Sequence, residues 1–269
     1  MPAKWFQEFP LETIHLPEYR LDDLDDVPQI GIDIHEMPKY PNWEFLVPNE
    51  EEQFRRAVQA YLACIRFVDH QVGRVVEALE ASPYRDDTVI VLFSDHGYHL
   101  GEKNRISKHS LWEESTKVPL IIVDGQHRGR QSAAPVGLID IYPTLLELCD
   151  LPARLENEGM SLLPLMKNTD AKLRNGILTT YARGNHSVRS ERFRLIRYQD
   201  GSQELYDHKT DPQEWNNLAL KIATTPELQT VVKKLAQLLP QEESEYHPSI
   251  QSGPVNAWFQ EHLRKNGIE

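Results

Sequence analysis

The sequence comprises 269 residues, of which 40% are hydrophobic and 26% charged, a composition typical of a globular protein. Its formal net charge of −12, without a compensating Lys/Arg stripe, argues against nucleic acid as the main partner. No apolar run reaches about 18 residues, so we expect no membrane span. Cys64 and Cys149 lie in apolar, helix-like surroundings, which predicts buried free thiols rather than a disulfide.

The N-terminal segment contains few periodic patterns. Residues 1–5 lack the apolar stretch of a signal peptide, which predicts a cytosolic protein if Met1 is the true start. Seven prolines before residue 49 exclude a long helix in this segment. The acidic run Asp22–Asp26 lacks the glycine and the terminal glutamate of an EF-hand loop, so we interpret it as a solvated loop.

A long helix is predicted from residue 49 to about residue 80. Asn49 is a candidate N-cap with Glu52 at the capping-box position. Apolar residues recur in steps of three and four from Phe54 to Leu79, and Ser82-Pro83 ends the helix. We expect this apolar stripe to pack against a sheet. Three polar residues beside the stripe are interpreted as surface groups: Asp69, His70 and Arg74.

Two apolar runs predict buried strands, Val89–Phe93 and Leu120–Val123. Asp140-Ile141-Tyr142-Pro143 begins a helix, whose first turn tolerates the proline. The alternation of short strands and helices between residues 50 and 150 predicts a mainly parallel sheet covered by helices. The expected fold class is therefore α/β.

The pattern changes after about residue 170, where arginines alternate with apolar residues. Ser187–Tyr198 (SVRSERFRLIRY) is predicted to be a strand, Asp200-Gly201 a hairpin turn, and Glu204–Tyr206 the returning strand. Apolar spacing between Leu228 and Leu238 predicts an amphipathic helix. We therefore divide the chain into an α/β domain, residues 1–170, and a small subdomain with an antiparallel sheet and a helix, residues 171–269.

Asp95 and His96, at the end of the first apolar strand, are the clearest candidate site. Side chains that follow a strand at its carboxyl end commonly build sites in open α/β sheets, and a carboxylate with an imidazole can bind a metal. One such pair cannot complete a metal site. The His96, His99 and Glu102 spacing is not the H-E-x-x-H pattern of zinc proteases. From spacing alone, a metal site and a hydrogen-bonded structural turn remain equally open.

Four stretches of the chain resemble one family, the sulfatases of the alkaline phosphatase superfamily, and within it the iduronate-2-sulfatase-like group. Residues 94–123 (SDHGYHLGEKNRISKHSLWEESTKVPLIIV) resemble its C-terminal metal-and-lysine segment. The stretches SVRSERFRLIRY and DGSQELYDHKTDPQEWNNLA resemble its C-terminal subdomain, and PAKWFQEFPLETIHLP resembles the segment after its midchain His-Pro region. The resemblance implies the C-terminal part of an alkaline-phosphatase-like sheet with flanking helices, followed by a small antiparallel α+β subdomain.

The resemblance also implies a role for each site residue. Asp95 and His96 would coordinate the active-site divalent cation, which is calcium in sulfatases. Imidazole nitrogen is an uncommon ligand for calcium, so zinc or manganese stays an alternative. Lys108 would act as a catalytic residue that contacts the sulfate group and assists the leaving oxygen. His99 and His109 would line the pocket for the substrate, a sulfated sugar or an aryl sulfate ester.

The sequence lacks the nucleophile motif of the family, a Cys or Ser in C/S-x-P-x-R that is converted to formylglycine. The resemblance therefore predicts the C-terminal part of a sulfuric ester hydrolase, inactive without an N-terminal sulfatase portion as partner. Two alternatives stay open: a non-catalytic sulfated-glycan-binding protein, and a phosphodiesterase or phosphonate hydrolase of the same superfamily. Full-length relatives are usually exported or lysosomal, so a cytosolic location and an exported or lysosomal one both stay open.

Overall fold

The computed structural model describes residues 2–36, 51–127 and 129–244, together with Glu261 and Arg264. The α-helices of this part of the chain are α1 (Lys4–Gln7), α2 (Gln29–His35), α3 (Glu51–Glu80), α4 (Glu113–Thr116), α5 (Ile141–Leu148), α6 (Leu163–Lys167) and α7 (Pro226–Ala236). The strands are β1 (Ile90–Phe93), β2 (His99–Leu100), β3 (Ile106–Ser107), β4 (Leu120–Val123), β5 (Ile177–Thr180), β6 (His186–Arg189), β7 (Phe193–Arg197) and β8 (Gln203–Asp207). Short 3₁₀-helices cover Leu11–Thr13, Leu138–Asp140 and Leu218–Thr224.

The long helix α3 packs mainly on the N-terminal segment. Phe54 and Val58 are buried against Ile14, and Trp5 of α1 packs edge-on against Phe67. The apolar stripe is then largely uncovered, with exposed fractions of 52%, 54% and 70% for Ile65, Val68 and Val75. The expected packing of the stripe on a sheet is therefore not observed, because α1 and the 3₁₀-helix after it supply the main contacts of α3.

The end of α3 agrees with its predicted signals. The helix ends at Glu80, and the Ser82 hydroxyl donates to the Leu79 carbonyl at 2.7 Å. The predicted N-cap, Asn49, lies outside the described residues. The three polar residues beside the stripe are exposed, as predicted: Asp69, His70 and Arg74.

The strands β1 and β4 pair antiparallel, with Ile90 opposite Val123 and Phe93 opposite Leu120. The prediction of a mainly parallel sheet is wrong for the described residues, whose sheets are all antiparallel. Apolar content identifies a strand, but the direction of its neighbour depends on the connection between them. Nor are these strands fully buried, since four of their apolar side chains are between 37% and 50% exposed: Leu92, Phe93, Ile121 and Val123.

The C-terminal sheet has four antiparallel strands in the order β5-β6-β7-β8. The single strand predicted over residues 187–198 is two strands, β6 and β7, because the chain turns after Ser190, whose hydroxyl donates to the Phe193 carbonyl at 2.9 Å. The predicted Asp200-Gly201 turn joins β7 to β8, with Gly201 at a φ of +85°. The predicted helix α7 covers one face through a buried cluster: Val188, Leu195, Leu205, Leu235 and Leu239.

The opposite face of this sheet packs on the N-terminal segment. Val27 and Ile30 share a buried cluster with Trp112 and with Tyr206 of β8. Because successive side chains of a strand point to opposite faces, Leu205 faces α7 while Tyr206 faces α2. The C-terminal sheet is thereby packed between α2 on one face and α7 on the other.

The acidic run Asp22–Asp26 is only in part the solvated loop that we expect. Asp23 is 1% exposed, and its carboxylate accepts a hydrogen bond from the Lys103 ammonium at 2.7 Å. Asp26 accepts from the backbone N–H of Asn217 at 2.7 Å. The prediction was wrong for Asp23 because a run of like charges does not reveal a partner 80 residues away.

Two expectations from composition concern the cysteines and membrane-spanning helices. Cys64 and Cys149 are free, as predicted, but both are exposed rather than buried. Within the described ranges, no helix has the length and apolar character needed to cross a bilayer.

Candidate active site

Asp95 and His96 lie in the narrow turn that follows β1. The Gly97 N–H donates to the Ser115 carbonyl at 2.9 Å. A Cβ atom at Gly97 would lie only 1.9 Å from the Glu114 carbonyl oxygen, so a residue with a side chain cannot be placed here without moving the backbone. Gly97 therefore brings the Asp95-His96 turn directly against α4.

Three ionisable side chains converge at this turn. The Lys108 Nζ lies 2.6 Å from the His96 Nε2, and the Asp95 Oδ1 lies 3.7 Å from the same nitrogen. The His96 Nδ1 lies 2.8 Å from the Gly97 carbonyl oxygen, which can only accept, so we assign the ring proton to Nδ1. The Nε2 lone pair is then free to accept a hydrogen bond from Lys108 or to bind a metal.

The residues of this turn fit a divalent cation in part. Asp95 offers carboxylate oxygen, and His96 offers a nitrogen whose tautomer is fixed by a backbone carbonyl, as is usual for metal-binding histidines. The Asp95 side chain is 83% exposed, so an ion has access to it. Two residues are fewer than the roughly six to eight ligand atoms that calcium takes. The pair therefore supplies one part of a metal site.

Lys108 and His109 follow β3 on a strained piece of backbone. His109 has a φ of +71°, which is uncommon for a residue other than glycine. Burial and the neighbouring Lys108 ammonium lower the pKa of His109, so its imidazole is neutral at neutral pH. Its ring contacts the Tyr181 ring edge-on, with the centroids 6.0 Å apart. His109 thus lies where the site meets the C-terminal sheet.

A cleft of about 1540 Å³ joins these residues to the C-terminal sheet. It exceeds the roughly 300–1,000 Å³ of ordinary small-molecule sites. Strand β5, Tyr181 and Arg189 of β6 form one part of its wall. Four of the five residues that the sequence singles out contribute another part: Asp95, His96, Lys108 and His109.

The fifth residue, His99, lies outside the cleft. Its side chain is fully buried, and its Nε2 lies 2.8 Å from the Ser110 Oγ. Burial and the nearby Arg105 charge lower the pKa of His99 to about 3, so the ring is neutral. Against expectation, the structure gives His99 a supporting position under the segment that follows Lys108. The H-x-x-H spacing did not show this, because β2 turns His99 inward.

A second cluster of titratable groups, which the sequence did not reveal, lies beside the cleft. Ligand atoms of Glu113, His208 and Glu214 all lie within 4.8 Å of one another, as they would around a metal ion. However, the buried guanidinium of Arg194 pairs with both carboxylates. A metal ion would have to displace that cation, so we assign the cluster to an ionic network. In the sequence, only the arginines of β7 point to this network, and they do not show that Arg194 pairs with Glu113 and Glu214.

Two family models match the chain. The model described as Sulfatase matches residues 30–151, which include Asp95, His96 and Lys108. The model described as N-sulphoglucosamine sulphohydrolase, C-terminal, matches residues 101–245, more than half of the chain. The two matches overlap across Lys108 and α4.

The matches to two relatives span most of the chain. A sulfatase of Formosa agariphila is 45% identical over 220 residues, a match that spans 81% of this chain and 43% of the relative. An N-acetylglucosamine-6-O-sulfatase of Bacteroides thetaiotaomicron is 30% identical over 209 residues, spanning 72% of this chain and 37% of the relative. The chain thus spans less than half the length of these relatives.

Solved structures confirm the predicted fold class. A protein in complex with its substrate, D-glucosamine-2-N,6-O-disulfate, superposes with a TM-score of 0.57 at 26% identity, covering 80% of this chain and 42% of that one. A phosphonate monoester hydrolase from Silicibacter pomeroyi superposes with a TM-score of 0.75 at 23% identity, covering 88% of this chain and 52% of that one. At that identity, the second likeness concerns the fold alone.

Proposed function

The chain belongs to the sulfatase family, and from this premise we propose that it provides the metal-binding and sulfate-binding part of a sulfuric ester hydrolase site. The observation that carries the proposal is the convergence of the Asp95 carboxylate, the His96 Nε2 and the Lys108 ammonium at the cleft. Hydrolysis of a sulfate ester develops negative charge on the sulfate oxygens and on the leaving oxygen. Fixed positive charge in a pocket stabilises that change.

Each residue of this group has a proposed role. Lys108 contacts the sulfate and stabilises the leaving oxygen, since an ammonium suits a tetrahedral oxyanion as a point charge. Asp95 and His96 hold a divalent cation, proposed to be calcium, which when bound supplies Lewis-acid stabilisation of sulfate oxygens. His109 lines the pocket beside Lys108 as a neutral ring. Metal analysis of the purified protein that found zinc or manganese in preference to calcium would overturn the calcium assignment.

A sulfated sugar is the proposed substrate class. Two of the matched proteins are named for acting on, or binding, a sulfated glucosamine. The iduronate-2-sulfatase-like group is the finer proposal, and it rests on the resemblance of residues 94–123. An aryl sulfate is the second ester class and the simplest one to assay.

The nucleophile is proposed to come from polypeptide outside these 269 residues. The sequence contains no Cys or Ser in a C/S-x-P-x-R arrangement. An N-terminal sulfatase portion would supply this motif and further metal ligands. On this proposal the 269 residues are inactive by themselves, and the complete site forms where that portion meets the Asp95-His96 turn.

Co-expression tests the proposal. The 269-residue chain is produced with the N-terminal half of the Formosa agariphila relative, and hydrolysis of 4-nitrophenyl sulfate and of glucosamine 6-sulfate is measured. We expect turnover only when both polypeptides are present. No turnover by the assembled pair, while the intact relative is active, would contradict the proposal. Faster hydrolysis of a phenylphosphonate ester than of the sulfates would favour the phosphonate hydrolase alternative.

The Lys108→Met substitution tests the role of the ammonium in the same assay. Loss of a charge that stabilises the transition state typically lowers kcat by about 10² to 10³-fold, and we expect an effect of that order. The matched control is Lys172→Met, at an exposed lysine far along the chain, which should leave kcat unchanged. Equal rates for the two variants would remove Lys108 from the reaction.

A non-catalytic sulfated-glycan-binding protein is the second candidate. One observation favours it: Lys108 and the Asp95-His96 pair face an open cleft within this chain itself. This candidate predicts that the 269 residues alone bind glucosamine 6-sulfate in the presence of calcium. Calorimetry that detects no binding, with and without calcium, would exclude it.

A further inference from the structure

The four residues after His109, Ser110–Glu113, are fixed in place one after another; we call them the tethered segment. Three of them bond to the C-terminal sheet or to the turn that follows it, and the first bonds to β2. The contacts are Ser110 Oγ with His99 Nε2 at 2.8 Å, the Leu111 carbonyl with Arg194 Nη1 at 3.0 Å, Trp112 Nε1 with Glu204 Oε2 at 2.8 Å, and the Glu113 N–H with Glu214 Oε2 at 2.8 Å.

Arg194 of β7 is the centre of these contacts. Its side chain is 1% exposed, and its guanidinium reaches four acceptors: the Leu111 carbonyl at 3.0 Å, the Ser187 hydroxyl at 2.6 Å, the Glu214 carboxylate at 2.6 Å, and the Glu113 carboxylate. Arg189 of β6 also donates to Glu113, at 3.0 Å. A rigid planar fork of N–H donors can satisfy such divergent acceptors at once, whereas a lysine ammonium cannot.

The charges of this network are mutually compensated. Burial opposes the charge on Glu214, but Arg194 and the hydrogen bond with His208 outweigh it and lower the pKa of Glu214 to about 2. Burial likewise opposes the charge on Glu113, and Arg194 together with Arg189 lowers its pKa. Removal of one member would leave a buried charge uncompensated. Loss of Arg194 would therefore leave Glu113 and Glu214 buried without their main compensating charge.

We infer that Arg194 is a positioning residue for the site: it holds the tethered segment, and with it Lys108, at the observed distance from His96. The inference rests on the proposed function only for the role of Lys108 toward a sulfate ester. A displacement of about 1 Å in a reacting group can lower a rate on the order of 10²-fold, so a rigid anchor for this lysine has a chemical consequence. The C-terminal sheet thus fixes the position of Lys108 through the tethered segment.

Hydrogen exchange of the wild-type 269-residue chain tests the tether without any substitution. The Glu113 N–H donates to the Glu214 side chain and therefore reports on the tether directly. Across a denaturant series, we expect the amides of the tethered segment to exchange together with those of β7, as one cooperative unit. Exchange together with β1 instead, at more than about tenfold the rate of β7, would overturn the inference.

Substitution at Arg194 tests the position of Lys108. Arg194→Met should raise the rate at which an amine-selective reagent labels Lys108 by about fivefold or more, the effect of a local weakening by about 1 kcal/mol. Arg194→Lys should restore part of the difference. The matched control is Arg192→Met, which removes a neighbouring guanidinium that is 51% exposed and paired with Asp207. This control should leave the labelling of Lys108 unchanged.

The outcomes separate positioning from general stabilisation. Faster labelling of Lys108 while the amides of α7 keep their protection supports the inference. An unchanged labelling rate in folded Arg194→Met protein, an equal rise in Arg192→Met, or parallel loss of protection throughout β5–β8 and α7 would overturn it. If Arg194→Met does not fold, the exchange of the wild-type Glu113 amide decides. Neither measurement uses turnover, so failure of the sulfatase assay and failure of the tether give different results.

Discussion

Gly97 determines how closely the Asp95-His96 turn approaches α4. Its N–H donates to the Ser115 carbonyl, and a Cβ atom at this position would overlap the Glu114 carbonyl oxygen. That oxygen belongs to the backbone and cannot rotate away, so any side chain here would push the turn and α4 apart. Gly73, in the middle of α3, has nothing within 4 Å of its hypothetical Cβ and offers the opposite case.

Alanine at these two glycines is predicted to have opposite effects. Gly97→Ala should lower the free energy of unfolding by about 1–3 kcal/mol, the usual cost of overpacking. Gly73→Ala should raise it by roughly 0.5–1 kcal/mol, because alanine loses less conformational freedom in a helix. Urea denaturation followed by circular dichroism measures both. A stabilising or neutral Gly97→Ala would contradict the close approach described above.

At the level of elements, β2 and the turn that follows β8 place His99 and Glu214 in the interior. Protonation of these buried groups at low pH affects the stability of the fold. The buried ring of His99 has a pKa of about 3, below its ordinary value of 6.5, because burial disfavours its charged form. The unfolded chain therefore binds a proton before the folded one does, and the folded state loses stability as the pH falls from 6.5 toward 3. Glu214, at about 2 instead of 4.5, contributes stability above pH 4.5 that is lost as the pH falls toward 2.

His99 and Glu214 are therefore predicted to lower the free energy of unfolding as the pH falls below 6.5 and below 4.5, respectively. His99→Gln keeps a side chain that can bond Ser110 but removes the titration, so it should flatten the profile between pH 6.5 and 3 by on the order of a few kcal/mol. His70→Gln, at an exposed histidine of α3, should keep the wild-type slope. Urea unfolding at a series of pH values measures the profiles. Identical profiles for wild type and His99→Gln would contradict the burial of a neutral His99.

Sequence patterns predicted the local elements but not the long-range partners. The apolar period of α3 and the Asp200-Gly201 turn are local signals, and both elements were predicted. The resemblance selected Asp95, His96 and Lys108, which the structure brings together. The contact between Arg194 and Glu113 spans 81 residues, and the pairing direction of β1 and β4 depends on the chain between them. Neither leaves a periodic trace in the sequence, because each is set by the path of the folded chain.

At the scale of the whole molecule, the strand pair β1 and β4 is unusual in being apolar on both faces. Because residues opposite each other share a face, one face carries Leu92 with Ile121, and the other carries Phe93 with Leu120. Strands of this composition are ordinarily covered on both sides. Here three of these four side chains are between 37% and 50% exposed: Leu92, Phe93 and Ile121. This surface adjoins the turn that carries Asp95 and His96.

The strand pair is predicted to drive association of the 269-residue chain. Exposed apolar strands with free edges favour pairing with other chains. Ile121→Lys should shift the chain toward monomer and should also weaken its co-purification with an N-terminal sulfatase portion. Leu155→Lys, at a fully exposed leucine outside the strands, should do neither. Sedimentation velocity measures the first effect and affinity co-purification the second. Equal behaviour of the two variants would exclude the strand pair as the contact surface.

The uncovered strands also make folding and self-association compete in each newly synthesised chain. Encounters between two copies increase with the square of their concentration, whereas folding within one copy does not depend on concentration. A chain whose β1 and β4 are uncovered is therefore expected to associate with other copies more often when synthesis is fast. A polypeptide that covers these strands and is already present at the ribosome would compete well with this association, because its effective concentration is high, as it is for a segment of the same polypeptide. Timing and local concentration during synthesis would then decide how much usable protein a cell obtains from this sequence.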